Sequence, residues 1–231
     1  MDYRDRHVVV TGGAGALGTA VVGELIAAGA ACHVPAASDT EAQRFRYRDH
    51  AQVQLSVAGD LADEAAVGRL FATVPRLWAS IHIAGGFAAG PLRDAAKADV
   101  MRQLEMNFVT CFLCCRAAVT AMAGGGGRIV NVAARPALEW RAGAGMAAYA
   151  ASKAAVAALT VALAEEVAKQ DILVNAIAPS ILDTPANRQA MPKADHASWP
   201  KVEDVAQTIL FLASPENRVT RGAVVPVYGR A

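Results

Sequence analysis

The stretch His7–Ala28, HVVVTGGAGALGTAVVGELIAA, runs from a β-branched segment through glycines into an apolar-periodic segment. His7–Thr11 reads as a strand, Gly12–Gly18 as a turn and Thr19–Ala28 as a helix. In that order, glycines let the backbone approach a pyrophosphate, and the helix N-terminus offers free N–H groups and a positive dipole end. Gly13-x-Gly15-x-x-Gly18 matches the dinucleotide fingerprint, and the Thr11-Gly12 entry narrows it. An ordinary tight strand–helix turn is the alternative reading of the same letters.

Working outward, further strands are expected at Ala31–Val34, Gln52–Val57, Trp78–Ala84, Arg128–Val132, Ile172–Ala178 and Ala223–Val227. Helices are expected from about Asp63, over Asp99–Met122, from Met146 to about Lys169, and over Val202–Ala213. Strands alternating with helices imply one α/β domain over residues 1–231, a Rossmann-type doubly wound parallel sheet with helices on both faces. Such a sheet has about seven strands here and binds ligands at its C-terminal strand edge.

Several residues fall at that edge. The second strand ends in Pro35, with Ser38, Asp39, Arg44 and Arg46 beyond, so neither an acid for NAD ribose nor an arginine for a 2′-phosphate is evident. Asp60, before Leu61, either accepts from an adenine amino group or caps the following helix. Ala84, Gly85 and Gly86 close the fourth strand where a side chain would obstruct a cofactor. Asn107 sits in mid-helix, a poor helix former that needs partners if buried, and a water relay is one way to supply them. Residues 181–200 are polar and proline-containing, a lid over the substrate.

Tyr149 and Lys153, within MAAYAASK at Met146–Lys153, are four apart and share a helix face. A free tyrosine titrates at roughly 10. An ammonium one turn away favours the phenolate and is expected to pull that value down. Taken alone, the pair is also what a solvated helix face produces by chance.

Composition excludes several classes. Hydrophobic residues make up 54% and charged residues 19%, with 22 basic against 21 acidic side chains. That balance leaves no nucleic-acid footprint and no membrane-surface patch. No apolar run reaches the roughly 20 residues of a spanning helix. The charged start MDYRDRHVVV is not a signal peptide by pattern, so a cytoplasmic location is expected. Cys32, Cys111, Cys114 and Cys115 read as buried free thiols; with no second Cys/His pair near the cluster, no zinc or other metal site is expected.

Together these motifs make the chain resemble a short-chain dehydrogenase/reductase over essentially its full length. The matching residues are Thr11-Gly12 with Gly18, Asp60-Leu61, Ala84-Gly85, Asn107, Tyr149-x-x-x-Lys153, and Pro179-Ser180-Ile181 with Thr184. The resemblance implies NAD(H) or NADP(H) held by Gly12, Gly15, Ala16, Leu17, Gly18, Asp60, Leu61, Ala84, Gly85, Gly86 and Pro179. It further implies that Lys153 grips the nicotinamide ribose, that Ile181 and Thr184 hold the carboxamide and phosphate side, that Tyr149 donates the proton and that Asn107 holds a water near Lys153. A homodimer or homotetramer acting on a small molecule goes with it.

Three departures mark the chain. Ala16 stands for the second loop glycine, His82-Ile83-Ala84-Gly85 for Asn-Asn-Ala-Gly, and Ala134 for the serine that polarises the substrate oxygen. These features are similar to the dihydropteridine reductase branch, as are Phe87, Arg135, and Leu182-Asp183-Thr184-Pro185-x-Asn187-Arg188 with Met191-Pro192-x-Ala194-Asp195 and Ser198-Trp199. That likeness implies reduction of a quinonoid dihydropterin or similar conjugated heterocycle, with Phe87, Ala134, Arg135 and Asn187 at the substrate. A carbonyl or alcohol oxidoreductase without the serine, and a non-catalytic dinucleotide sensor, are the alternatives.

Overall fold

Val8 and Val10 bury against one helical layer and Val9 against the other, so the first strand already needs cover on both faces. The computed structural model describes residues 1–231 and supplies that cover. Its strands are β1 His7–Thr11, β2 Ala31–Ala36, β3 Val53–Val57, β4 Leu77–His82, β5 Gly127–Val132, β6 Ile172–Pro179 and β7 Val224–Val227. They form one parallel sheet in the order β3-β2-β1-β4-β5-β6-β7, the doubly wound sheet expected from the sequence.

The helices are α1 Ala16–Ala27, α2 Asp39–Arg44, α3 Glu64–Ala72, α4 Lys97–Leu104, α5 Thr110–Ala121, α6 Arg135–Leu138, α7 Ala147–Glu166, α8 Pro185–Ala190 and α9 Val202–Ala213. One core joins α1 and α9 to the sheet through Val21, Leu25, Ile209 and Leu212. The other joins α3, α5 and α7 through Val67, Phe71, Cys114 and Val156. The chain steps from β1 outward to β3, then returns to place β4 on the other side of β1. That reversal opens a crevice over the C-terminal ends of β1 and β4.

Some boundaries differ from the sequence reading for identifiable reasons. β2 continues through Pro35 to Ala36, whereas it was expected to stop at Val34. Cys32 N–H and Ala36 C=O both bond toward β3, so Pro35 faces β1, whose pairing with β2 ends at His33. The missing proline N–H therefore removes no ladder bond. α1 begins at Ala16, three residues before the expected Thr19, because Gly15 already serves as its N-cap. β4 ends at His82, and the chain beyond it is irregular.

The expected helix over Asp99–Met122 is interrupted. Glu105–Val109 forms a π turn between α4 and α5, with Thr110 N–H reaching back to Glu105 C=O. Within this widened ladder, Asn107 Nδ2 donates to Gln103 C=O (3.1 Å) and Thr110 Oγ1 to Met106 C=O (2.8 Å). Asn107 is thus built into the turn that displaces it toward the sheet.

Candidate active site

The site grows from the β1–α1 turn. Gly12 has φ +66°, and a Cβ there would stand 2.7 Å from Ala84 N, so the turn lies directly on the loop after β4. Thr11 Oγ1 accepts from Ala84 N–H (3.3 Å) and fixes that contact. α1 has neither a side-chain cap nor an acid in its first turn. Its orphan N–H groups and positive dipole end are therefore available to an anion.

A cleft of ≈ 580 Å³ opens here, lined by Gly12, Gly15, Pro35, Ala36, Ala37, Glu41, Gly59, Asp60, Leu61, Ala62, Ile83, Ala84, Gly85, Arg102, Glu105, Met106 and Thr110. A Cβ on Gly15 would meet only Gly12 O, at 3.3 Å, so this glycine keeps the cleft floor open. Gly18 differs. It is buried, lies outside the lining, and its Cβ would collide with Gly12 O and stand 2.6 Å from Gly13 Cα. Gly18 serves helix–strand packing, with no part in the open surface. Leu17 likewise sends its side chain into the core.

Asp60 lines the cleft, and its Oδ1 accepts from Ala62 N–H (2.8 Å). The helix-cap alternative for Asp60 is overturned: Asp63 caps α3, accepting from Ala65 N–H (2.8 Å). Glu41 was missed by sequence reasoning. It sits on α2, lines the cleft, and accepts from Ala37 N–H (2.7 Å). Arg102 was missed as well, since on α4 it reads as an ordinary surface charge.

Beyond Gly85 the surroundings change from backbone to side chains. A Cβ on Gly85 would meet Asn107 Oδ1 at 2.5 Å and Lys153 Nζ at 3.5 Å, which places both groups under this glycine. Asn107 Oδ1 accepts from Gly86 N–H (3.0 Å), and Gln103 takes its amide protons. The buried asparagine is therefore satisfied by protein groups. Lys153, 6% exposed, donates to Val132 C=O (2.8 Å), and burial pushes its pKa down to about 8. Phe87 packs edge-on against Tyr149, ring centroids 4.9 Å apart.

Burial raises the Tyr149 phenol to about 12. The lowering by Lys153 expected from the sequence does not appear in this structure: burial alone moves the phenol, and the Lys153 ammonium donates to the Val132 carbonyl. Tyr149 is thus a fully protonated acid at neutral pH.

Other predicted residues stand apart from the cleft. Pro179 ends β6 opposite Val227, and Ile181 is exposed. Thr184 caps α8 by accepting from Asn187 N–H (3.2 Å), while Asn187 Nδ2 donates to Leu182 C=O (2.8 Å). Both side chains help close the short helix of the 181–200 segment, beside the Arg188–Asp183 pair across the same turn. Arg135 pairs with Glu139 (2.7 Å) and lies over the Tyr228 ring. Ala134 is 3% exposed and is the N-cap of α6, with no hydroxyl to offer.

Residues 6–195 match the family model described as short chain dehydrogenase. A (2S)-[(R)-hydroxy(phenyl)methyl]succinyl-CoA dehydrogenase subunit from Thauera aromatica is 30% identical, with 99% of this chain and 97% of that protein aligned. Galactitol 2-dehydrogenase from Rhizobium johnstonii is 34% identical, over 96% and 93% of the two chains. Among solved structures, a blue fluorescent protein from a metagenomic library in complex with NADPH superposes with TM-score 0.85 at 27% identity, covering 100% of this chain and 99% of that one.

Proposed function

Since the chain belongs to the short-chain dehydrogenase family, we propose that its crevice carries hydride transfer between NAD(P)H and a conjugated heterocycle, of which a quinonoid dihydropterin is the type. NAD(P)-dependent oxidoreductase chemistry follows from the family itself. The cleft suits a dinucleotide: a glycine cradle that Cβ atoms would fill, an uncapped helix N-terminus, and Asp60 and Glu41 at the far end. In this reading Gly12, Gly15 and the N–H groups of Ala16 and Leu17 hold the pyrophosphate, with Asp60, Leu61, Ala84 and Gly85 at the adenosine side. Lys153 holds the nicotinamide ribose. The cofactor, when bound, supplies the hydride.

The chain's own part is the proton. Tyr149, a neutral phenol at physiological pH, donates it from its hydroxyl. Lys153 contributes its positive charge, and Asn107 fixes the Gly85-Gly86 floor through Gly86 N–H. Phe87 offers an aromatic edge beside Tyr149 for a planar substrate.

One observation carries the substrate class: the absence of a second hydroxyl. Ala134 is buried, no serine or threonine lies between Gly124 and Tyr149, and Ser152 Oγ donates to Tyr149 C=O. An isolated ketone gathers charge on one oxygen, where a preorganised donor is worth roughly 10²–10³ in rate. A conjugated heterocycle spreads that charge, so one acid suffices. The second reading, an alcohol or carbonyl oxidoreductase, is favoured by the aligned relatives, which are named as dehydrogenases of hydroxyl compounds.

We further read the chain as one domain with a lid at 181–200, working as a homodimer or homotetramer. Met101, Phe112 and Val161, exposed on α4, α5 and α7, support the assembly. NAD(P)H oxidation with a quinonoid dihydropterin, beside a panel of ketones and aldehydes, tests the substrate. Turnover of the pterin is expected; strong ketone turnover with none on the pterin overturns it.

A further inference from the structure

His82 departs from the family pattern, and the sequence offers it no partner. The fold brings one. His82 ends β4, and Cys111 and Cys115 are one turn apart on α5, above it. One ligand atom from each of the three lies within 4.8 Å of the others. All three side chains are buried, at 3%, 4% and 1% exposure.

The surroundings are oriented around this group. Cys115 Sγ is 3.5 Å from His82 Nδ1 and 3.4 Å from Asn131 Oδ1, and Asn131 Oδ1 is 2.8 Å from the same Nδ1. Asn131 Nδ2 donates to Thr160 Oγ1 (2.9 Å), which fixes the amide with its oxygen toward the thiols. Ser80 Oγ stands 2.7 Å from His82 Nε2 and pins the ring from behind.

We propose that His82, Cys111 and Cys115, with Asn131 Oδ1 as fourth donor, form a buried tetrahedral site for a thiophilic divalent cation of the zinc type. Two thiolates and an imidazole select such a cation over magnesium or calcium, which take oxygen ligands. Two cysteines at i and i+4 share a helix face, and the histidine comes from the strand beneath, so the cation would tie α5 to β4. In the metal-free protein Nδ1–H donates to Asn131 Oδ1; binding takes the other tautomer, in which the ring proton sits on Nε2 and donates to Ser80 Oγ, the outer partner, and the Nδ1 lone pair turns inward. Binding expels both thiol protons to solvent and leaves the imidazole neutral, with no change of oxidation state.

The tie would act next to the chemistry. α5 begins where the π turn carrying Asn107 ends, and β4 runs straight into Ile83–Gly86.

Cobalt titration of the chelator-treated, reduced protein reads the site directly. Expected are one Co²⁺ per chain, near-ultraviolet thiolate-to-cobalt charge-transfer bands, intense visible bands of tetrahedral cobalt, and their displacement by Zn²⁺. Cys115→Ser and His82→Asn should abolish the bands, while Cys32→Ala and Cys114→Ala should keep them. Should the site variants fail to fold, alkylation of the wild-type protein in mild denaturant decides: Zn²⁺ should slow modification of Cys111 and Cys115 relative to Cys32. Absence of charge-transfer bands at saturating cobalt, bands that survive Cys115→Ser, or alkylation rates indifferent to zinc would each overturn the site and leave only a hydrogen-bonded cluster.

Discussion

The two ends of the crevice are built from different materials. The end over β1 is backbone and small residues, Gly12, Gly15, Ala36, Ala84 and Gly85, whose shape depends on what is missing. The end beyond Gly85 is side chains, Tyr149, Lys153 and Asn107, whose properties depend on burial. A backbone-built surface fails by steric intrusion. A side-chain-built one fails by losing a single functional group while the shape survives. Substitutions at the two ends should therefore separate binding from turnover.

Tyr149→Phe removes only the phenol. General acid catalysis is worth roughly 10²–10⁴-fold, so turnover should fall by that order while cofactor binding is kept. Steady-state rates beside a fluorescence titration with NADH check this; wild-type turnover would refute the assignment.

Gly15→Val and Gly18→Ala should break the backbone end in opposite ways. At Gly15 the new side chain meets one carbonyl at 3.3 Å and otherwise fills the cleft. The protein should melt as wild type and bind NADH at least about tenfold more weakly, or about 1.4 kcal/mol. At Gly18 even one methyl lands on the Gly12 carbonyl, so stability should fall by about 1–3 kcal/mol. Thermal melts and NADH titration of both variants give the comparison, and a stable Gly18→Ala with weakened binding would reverse the two roles.

The side-chain end should show itself in pH. Lys153 titrates at about 8, below its ordinary 10.5, so its ammonium is lost as pH rises through about 8. Cofactor affinity and reductive turnover should decline there, and Lys153→Met should flatten that limb of the profile. Stability moves the other way. Between pH 8 and 10.5 the unfolded chain holds the proton that the folded chain has released, so this group's contribution rises with pH. A profile unchanged by Lys153→Met would remove the lysine from this role.

Ala134→Ser should have the smallest effect and sharpens the substrate question. Although Ala134 is the N-cap of α6, Pro136 has no N–H and Ala137 N–H already bonds Ala134 C=O, so the new hydroxyl finds no free capping donor and should add no stability. Pterin reduction should stay within a few-fold of wild type, while any weak ketone reduction rises. A large gain on the pterin would show that a second donor was needed after all.

Much of the backbone end was legible because its signals are local. The glycine turn and the flanking strand lie within a few residues of sequence, as does the Tyr149–Lys153 spacing at the other end, and α9 was readable to its ends. The side-chain end was legible in identity and not in state. Nothing near Tyr149 in sequence reveals that its phenol is desolvated, nor that Lys153 donates to a carbonyl on β5. Thr184 and Asn187 read as ligand-facing, and the part their side chains take in closing the α8 turn was not legible.

By itself the sequence determined the periodicities, the positions where only glycine fits, and which titratable groups share a helix face, because these follow from backbone geometry over one or two turns. Tertiary structure alone decided which of those groups are stripped of water and what they meet. The π turn that delivers Asn107 to Gly86, the passage of β2 through Pro35 and the meeting of His82 with Cys111 and Cys115 all depend on neighbours distant in the chain. Desolvation and long-range hydrogen bonding exist only once the sheet and its helices have closed around them.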